Sequence, residues 1–405
     1  MDYKNTRMGT YGSWIDEFIA YTDGSPSSML YRKWGAIAAV AGAMERKLHV
    51  EAFDEDYFAG MFTILLGPPG AGKSFVVKIV EKLWLELKDY HVGSKDSTGS
   101  ALLDQLTLAR RNIVLPTQRV LEYNCLLVAV TELGTLFPGY DAGYMAILTD
   151  LWDAGRYTQS RRGKGSGDGV KIEIPKAQVQ YLTGTTPDWL AKFLPEGAWD
   201  QGFLARNMIV YDDIIIPKSP FRKTPNKKEL WESLVKGLTK ISEMQGEMHF
   251  TDETAEFGDD FSLNGGEPAP IHPRLQHYKT RRPAHLIKLS MVMAAARGSM
   301  TITIEDMILA FNTLIEVESN MEHIFKAMKS GGAIQAMEEA YHTVWILYKK
   351  DNKPVREGIL VESLAERMPP FAIETTVRTM IQCGWIKLEL GIGGTVRFYT
   401  PLKRG

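Results

Sequence analysis

The chain has 405 residues, enough for about two or three domains, with 44% hydrophobic and 24% charged residues, the balance of a soluble protein with packed cores. A net charge of −2 excludes a chain-wide cationic surface, so any contact with nucleic acid must rest on a local basic patch. Two distant cysteines, Cys125 and Cys383, and eight scattered histidines exclude a disulfide framework and a zinc site of recognisable spacing.

The N-terminus carries no apolar signal core, and Gly35 to Met44 is too short to span a bilayer. The expectation is a cytoplasmic protein with no membrane contact. Residues 1–58 read as a helical segment: Trp14, Phe18 and Ile19 make one apolar face. The cluster Asp23-Gly24-Ser25-Pro26-Ser27-Ser28 breaks it from a second helix, Leu30 to Met44.

Met61 to Leu66 is a short apolar run of buried-strand type. It leads into Gly67-Pro68-Pro69-Gly70-Ala71-Gly72-Lys73-Ser74, a full match to the phosphate-binding loop G-x-x-x-x-G-K-[ST], and then into a helical pattern from Phe75 to Trp84. The glycines let the backbone wrap a polyphosphate with its N–H groups aimed inward, and the helix N-terminus adds partial positive charge. Lys73 is expected on the β- and γ-phosphates of a nucleoside triphosphate, Ser74 on Mg²⁺, and Phe75 beside the nucleotide.

Three further buried runs end in polar residues: Leu126 to Glu132, Gln178 to Pro187, and Asn207 to Tyr211, which follows Arg206. Strands interleaved with helices predict an α/β fold with a parallel sheet, and the polar residues lie at the strand ends where such sheets bind ligands. Glu132 is the carboxylate expected to polarise the attacking water. Thr131 stands where an aspartate usually helps hold Mg²⁺; its hydroxyl orders metal-bound water without a charge. Thr186, with Thr185 as the second candidate, is expected at the γ-phosphate. Arg206 is expected to serve a neighbouring subunit's phosphate.

Tyr157 to Lys171 is a glycine-rich basic loop between strand-like Gly155–Gln159 and Val170–Ile174. Arg161, Arg162, Lys164 and Lys171 offer cations to DNA phosphates. Residues 59–216 form the expected core. Residues 217–330 read as a helical lid in which Arg281 and Arg282 open a helix from Ala284 to Ala296 and are expected near the nucleotide. Ser330-Gly331-Gly332 reads as a linker. Residues 333–405 follow a helix, helix, helix, hairpin order, the pattern of a winged helix.

In this order the segments resemble AAA+ replicative helicases, more closely a group of phage-encoded DNA helicases. Gly67–Ser74 resembles their Walker A loop, Leu126–Glu132 their Walker B strand, Tyr157–Ile174 the pre-sensor-1 hairpin and Gly184-Thr185-Thr186-Pro187 the sensor-1 segment. Gly202–Asn207 is similar to the arginine-finger segment of minichromosome-maintenance helicases, and Arg281–Arg297 to their sensor-2 helix. The resemblance implies a hexameric ring that hydrolyses ATP with Mg²⁺ at its subunit interfaces and unwinds forked or single-stranded DNA, with a primase or loader as partner. Two alternatives stay open. One is a replication initiator or helicase loader that uses ATP as an assembly switch, and the other is a nucleotide-gated DNA-binding scaffold. A DNA-packaging motor is disfavoured, since no nuclease-like carboxylate cluster follows the ATPase segment.

Overall fold

In a computed structural model of the chain the described residues are 13–95, 98–114, 118–137, 139–161, 170–194, 202–217, 221, 226–365, 368–391 and 396–402. The chain divides into two compact units, Met1–His323 and Ile324–Gly405.

Helix α1 (Trp14–Tyr21) opens at Ser13, whose hydroxyl accepts from Ile15 N while the Asp16 carboxylate reaches back to the Ser13 N–H. Helix α2 (Met29–Met44), started by Ser28, is buried along almost its whole length. Its Ala and Gly residues let neighbours approach closely on every side. A hairpin of β1 (Leu48–Ala52) and β2 (Glu55–Tyr57) follows. Strand β3 (Phe62–Leu66), buried throughout, leads through residues 67–72 into α3 (Lys73–Glu86). Next come α4 (Gly99–Leu108), β4 (Arg110–Val114), β5 (Val120–Val130), α5 (Leu133–Leu136) and α6 (Ala142–Leu151). The antiparallel pair β6 (Tyr157–Arg161) and β7 (Val170–Ile174) precedes β8 (Ala177–Thr185), α7 (Pro187–Phe193), α8 (Gly202–Ala205) and β9 (Asn207–Tyr211).

The core sheet has the strand order β4-β5-β8-β3-β9. Four of its strands are parallel, as an α/β pattern requires, and β4 joins β5 antiparallel at the edge. The residues between Val114 and Val120 are too few for the crossover that a parallel pairing needs. Across the sheet Phe62 stacks on Tyr181 with ring centroids 4.4 Å apart, and Phe137 packs edge-on against Tyr181. Helices α2 and α3 lie together, with Trp84 Nε1 donating to Ala39 O at 3.2 Å. Where α2 turns into β1, the fully buried Glu45 carboxylate accepts from Tyr123 Oη at 2.6 Å and lies 3.3 Å from Arg111.

The first unit continues through α9 (Lys227–Glu243), β10 (Gly246–Glu247), β11 (His249–Phe250), α10 (Asp252–Leu263), α11 (Gln276–Lys279), α12 (Arg282–Ala296) and β12 (Thr301–Ile302). Strand β10 pairs parallel with β1, and β11 with β12. The next helix, α13, runs Ile304–Asp351. The predicted linker at 330–332 is therefore helical. Two adjacent glycines cost a helix only about 2 kcal/mol, and the flanking Ala, Met, Gln and Glu residues are strong helix formers.

In the second unit β13 (Val355–Arg356) precedes α14 (Glu357–Ala365), α15 (Pro370–Gln382), β14 (Ile386–Leu390) and β15 (Arg397–Pro401). Its sheet is antiparallel in the order β13-β15-β14. Leu360, Leu364, Ile373, Val377, Met380, Ile386 and Tyr399 form its core. Arg378, the one basic residue of α15, lies 3.4 Å from Glu374, and Phe371 at the helix start is 86% exposed. Among the described residues no helix is long and apolar enough to cross a membrane.

Candidate functional site

The loop after β3 owes its shape to two left-handed glycines, Gly70 at φ 84° and Gly72 at φ 82°. At Gly72 a Cβ would also overlap Pro26 O and lie 2.6 Å from Ser27 Cα, so the 23–28 turn packs directly on the loop. Gly72→Ala is expected to strain the backbone and push that turn away. Calorimetric nucleotide titration should show loss of ATP binding, and thermal melting a lower Tm.

No side chain caps the N-terminus of α3, so its first-turn amides keep their anion-binding potential. Lys73 opens that helix, nearly buried, and its Nζ donates to Gly67 O at 2.6 Å and Pro68 O at 2.7 Å. Burial pushes the Lys73 ammonium pKa down, against the opposing pull of Glu132. An uncapped helix start, a desolvated lysine and a loop shaped by left-handed Gly70 and Gly72, with no space for a Cβ at Gly67 or Gly72, fit a polyphosphate. Ser74 is the next residue of the same helix start, and the exposed Glu132, whose charge acts on Lys73, follows half-buried Thr131 at the end of β5. Among the described residues no three His, Cys, Asp or Glu side chains cluster to hold a metal. Magnesium at such a loop sits mainly on phosphate oxygens and water, so a single hydroxyl such as that of Ser74 would be enough as its protein ligand.

Strand β8 lies between β3 and β5, with Leu66 opposite Thr185 and Val130 opposite Thr183. A Cβ at Gly184 would stand 2.9 Å from Thr131 O and 3.4 Å from Lys73 Cβ, so that face of β8 looks onto the lysine. Strand alternation continues the same face to Thr186. Thr186 also caps α7, its Oγ1 accepting from Trp189 N at 3.3 Å. That bond uses an acceptor lone pair and leaves the hydroxyl proton for another partner. Thr185, the second candidate, points to the opposite face, and its buried hydroxyl has no hydrogen-bond partner.

Arg206 lies at the other edge of the sheet. Asn207, which follows it, is level with Phe62 at the start of β3, whereas the loop begins beyond Leu66. Five strand residues at about 3.3 Å each separate the two edges by roughly 16 Å. Arg206 is 8% exposed. Its guanidinium lies 3.2 Å from Asp153 and donates to Gly202 O at 3.2 Å, and its buried Nε has no hydrogen-bond partner. An open pocket of about 350 Å³ beside it is lined by Thr149, Asp150, Asp153, Gly202 and Phe203 among others.

Arg281 and Arg282, expected near the nucleotide, stand apart from the Lys73 loop of their own chain. The start of α12 lies at the Arg206 edge, where His285 meets Ala205 O and Lys288 meets Gly60 O just before β3. Arg282 is also 1% exposed and consumed inside the unit. It pairs with Glu318 at 2.6 and 2.9 Å, donates to Pro268 O at 2.8 Å and also bonds Gly266 O. Arg281, half-buried at the N-cap, keeps no such set of partners.

The basic hairpin forms between β6 and β7, with Tyr157 opposite Ile174 and Arg161 opposite Val170. Lys171 is exposed and lies 3.0 Å from Glu173. Arg162, Lys164 and the side chain of Arg161 lie outside the described residues.

Sequence reasoning passed over His285, Asp153 and the role of Lys288. A lysine inside the apolar run Leu286-Ile287-Lys288-Leu289 was the available signal. His285 is fully buried and donates from Nε2 to Ala205 O at 3.1 Å, since a carbonyl only accepts. Burial lowers its pKa from 6.5 to about 4, with Lys288, Arg281 and Arg206 adding to the effect. The unfolded chain therefore binds this proton near pH 6.5 and the folded chain only near pH 4. The stabilisation is complete above pH 6.5 and is lost as the pH falls through 4, by about 3 kcal/mol. Denaturation midpoints measured from pH 7 to 4 should fall more steeply for wild type than for His285→Phe.

No protein-family model matches the chain, and no curated protein matches it at a significant level.

Proposed function

We propose that the chain is a AAA+ ATPase that assembles as a ring and couples ATP hydrolysis to movement along DNA, in phage or mobile-element replication. The observation that carries this reading is the placement of Lys73 and Arg206 on opposite edges of one sheet. One copy cannot bring both to a single phosphate, but adjacent copies in a ring can. Lys73, Ser74, Thr186 and Glu132 would act from one subunit, and Arg206, with Arg281 on the same edge, from the next. In this reading Lys73 binds the β- and γ-phosphates, Glu132 orients and deprotonates the attacking water, and Arg206 offsets the charge developing on the transferred phosphoryl group. Magnesium, held by Ser74 and the phosphates, would supply further charge neutralisation.

The β6–β7 hairpin would carry its basic tip, Arg161, Arg162, Lys164 and Lys171, to single-stranded DNA in the pore. The second unit reads as a winged helix, and the pairing of Arg378 with Glu374 favours a protein over a DNA groove as its contact. A second reading has one specific support: a hydroxyl, Thr131, ends β5 where a motor is expected to carry an aspartate. That reading is an initiator or helicase loader with slow turnover.

Steady-state ATPase rates with and without single-stranded DNA test the two. The motor predicts stimulation by DNA that is lost in Arg161→Ala/Arg162→Ala/Lys171→Ala while the basal rate remains. A rate that DNA leaves unchanged supports the loader.

A further inference from the structure

Helix α12 is apolar over most of its length, with Leu286, Ile287, Leu289, Met291, Val292 and Met293 all buried. Among its buried polar side chains, two titratable ones lie three residues apart on one face inside the apolar stretch, His285 and Lys288, both nearly inaccessible to solvent. A leucine at either position would satisfy the packing, and burying an amine or imidazole costs several kcal/mol unless its polar atoms find partners. His285 Nδ1 has no hydrogen-bond partner, but what His285 Nε2 and Lys288 Nζ find is specific. His285 donates to Ala205 O at 3.1 Å, and Ala205 is the residue before Arg206. Lys288 donates to Trp152 O at 3.2 Å, and Trp152 is the residue before Asp153, whose carboxylate lies 3.2 Å from Arg206. The second Lys288 bond, to Gly60 O at 2.8 Å, ties the same helix to the start of the β3 strand that bears the phosphate loop.

The aromatic contacts share this geometry. Lys288 Nζ lies 4.0 Å from the centroid of the Trp152 ring, the Arg206 guanidinium lies 5.6 Å from that ring, and His285 meets it edge-on at 5.5 Å. Both ends of the Arg206–Asp153 pair are thus gripped through the preceding carbonyl by one helix. Ala205 ends the four-residue helix α8, too short to fix its own direction. Within the segment, Arg206 N donates to Phe203 O at 3.1 Å and Asn207 Nδ2 to the same carbonyl at 2.7 Å, and the clamp adds to these local bonds the only side-chain grip from α12 on the carbonyl before Arg206 among the described residues.

We infer that His285 and Lys288 are positioning residues for Arg206: through Ala205 O and Trp152 O they hold the arginine and its partner Asp153 at the angle at which a neighbouring subunit's nucleotide would meet them. The inference rests on the proposed role of Arg206 between subunits. It adds that α12 sets whether that arginine is presented. A shift of about 1 Å at such a group is worth roughly 10² in rate.

Mixed-subunit hydrolysis separates this role from general packing. Lys73→Ala has a dead loop and an intact arginine; Arg206→Ala has the reverse. Mixed together they should regain activity at interfaces that pair the intact halves. Lys288→Met keeps the alkyl chain on Trp152 and removes the donors. It is expected to bind ATP with a Kd within about twofold of wild type and to lose about 10²-fold in kcat. It should regain activity with Lys73→Ala and not with Arg206→Ala. His285→Phe keeps the ring contacts, loses the Ala205 bond, and is expected to behave alike; it carries the test if Lys288→Met fails to fold. Wild-type kcat in both variants, rescue by Arg206→Ala, or rescue by neither partner overturns the inference. Failure of Lys73→Ala and Arg206→Ala to complement each other removes the intersubunit reading itself, and the inference with it.

Discussion

Arg206→Ala is expected to lower the steady-state ATPase rate by roughly 10³–10⁵-fold, the range an arginine supplied to a transferring phosphoryl group contributes. ATP affinity at the Lys73 loop should stay close to wild type, because the two residues occupy opposite edges of the sheet. Titration with a fluorescent ATP analogue alongside the rate assay checks both halves of the statement. Loss of binding together with rate would place Arg206 in the fold of its own subunit's loop instead. The buried setting of Arg206 sharpens the expectation. Its pairing with Asp153, 53% exposed on the carboxylate side, one carbonyl bond and the Trp152 ring hold the guanidinium in place among the described residues. In the proposed ring, a neighbour's phosphate would compete with a partly solvated carboxylate, and the unpartnered Nε would gain a bond in the exchange.

Arg282→Met is expected to be the most damaging single change to stability, at about 3–5 kcal/mol. The substitution strands the Glu318 carboxylate, 4% exposed, with only Tyr278 Oη at 2.9 Å to offset its charge. It also removes donors from the carbonyls of Gly266 and Pro268, which anchor the loop between α10 and α11. Burial already raises the Glu318 pKa, with the Arg282 contacts opposing it. In the variant that opposition is gone, so Glu318 protonates more readily and the deficit should shrink toward acid pH. Urea denaturation at pH 7 and pH 5 measures both effects. The double variant Arg282→Met/Glu318→Leu should recover most of the loss, since a well-packed apolar pair replaces a buried ion pair at little cost. No recovery would mean that the loop carbonyls, and not the stranded charge, dominate.

Arg282 also shows where sequence reasoning reaches its limit. As a position, an arginine opening a helix after a Pro-rich loop looks like a nucleotide sensor. As a structural residue it faces Glu318, 36 positions away, in a bond that no local pattern announces. His285 and Lys288 are of the same kind. Their partners Ala205, Trp152 and Gly60 lie 80 to 228 residues distant, and only the folded arrangement brings those carbonyls to one helix face. The Glu45–Tyr123–Arg111 group, likewise, joins residues up to 78 apart.

What the sequence alone determined is local. The strand, loop and helix around Lys73 follow from apolar runs, obligatory glycines and an uncapped helix start within some thirty consecutive residues. The parallel strands at 126–130, 178–185 and 207–211 follow from buried runs bounded by polar ends, and the basic hairpin from its two strand-like arms. Tertiary structure decided the rest: the antiparallel edge strand β4, the continuous helix through 330–332, the sealing of Arg282 inside the first unit, and the placement of Arg206 across the sheet from Lys73. The physical reason is range. Backbone geometry and hydrophobic periodicity act between neighbours in sequence, whereas the burial of a charge is settled by whichever distant group folding brings within hydrogen-bond reach.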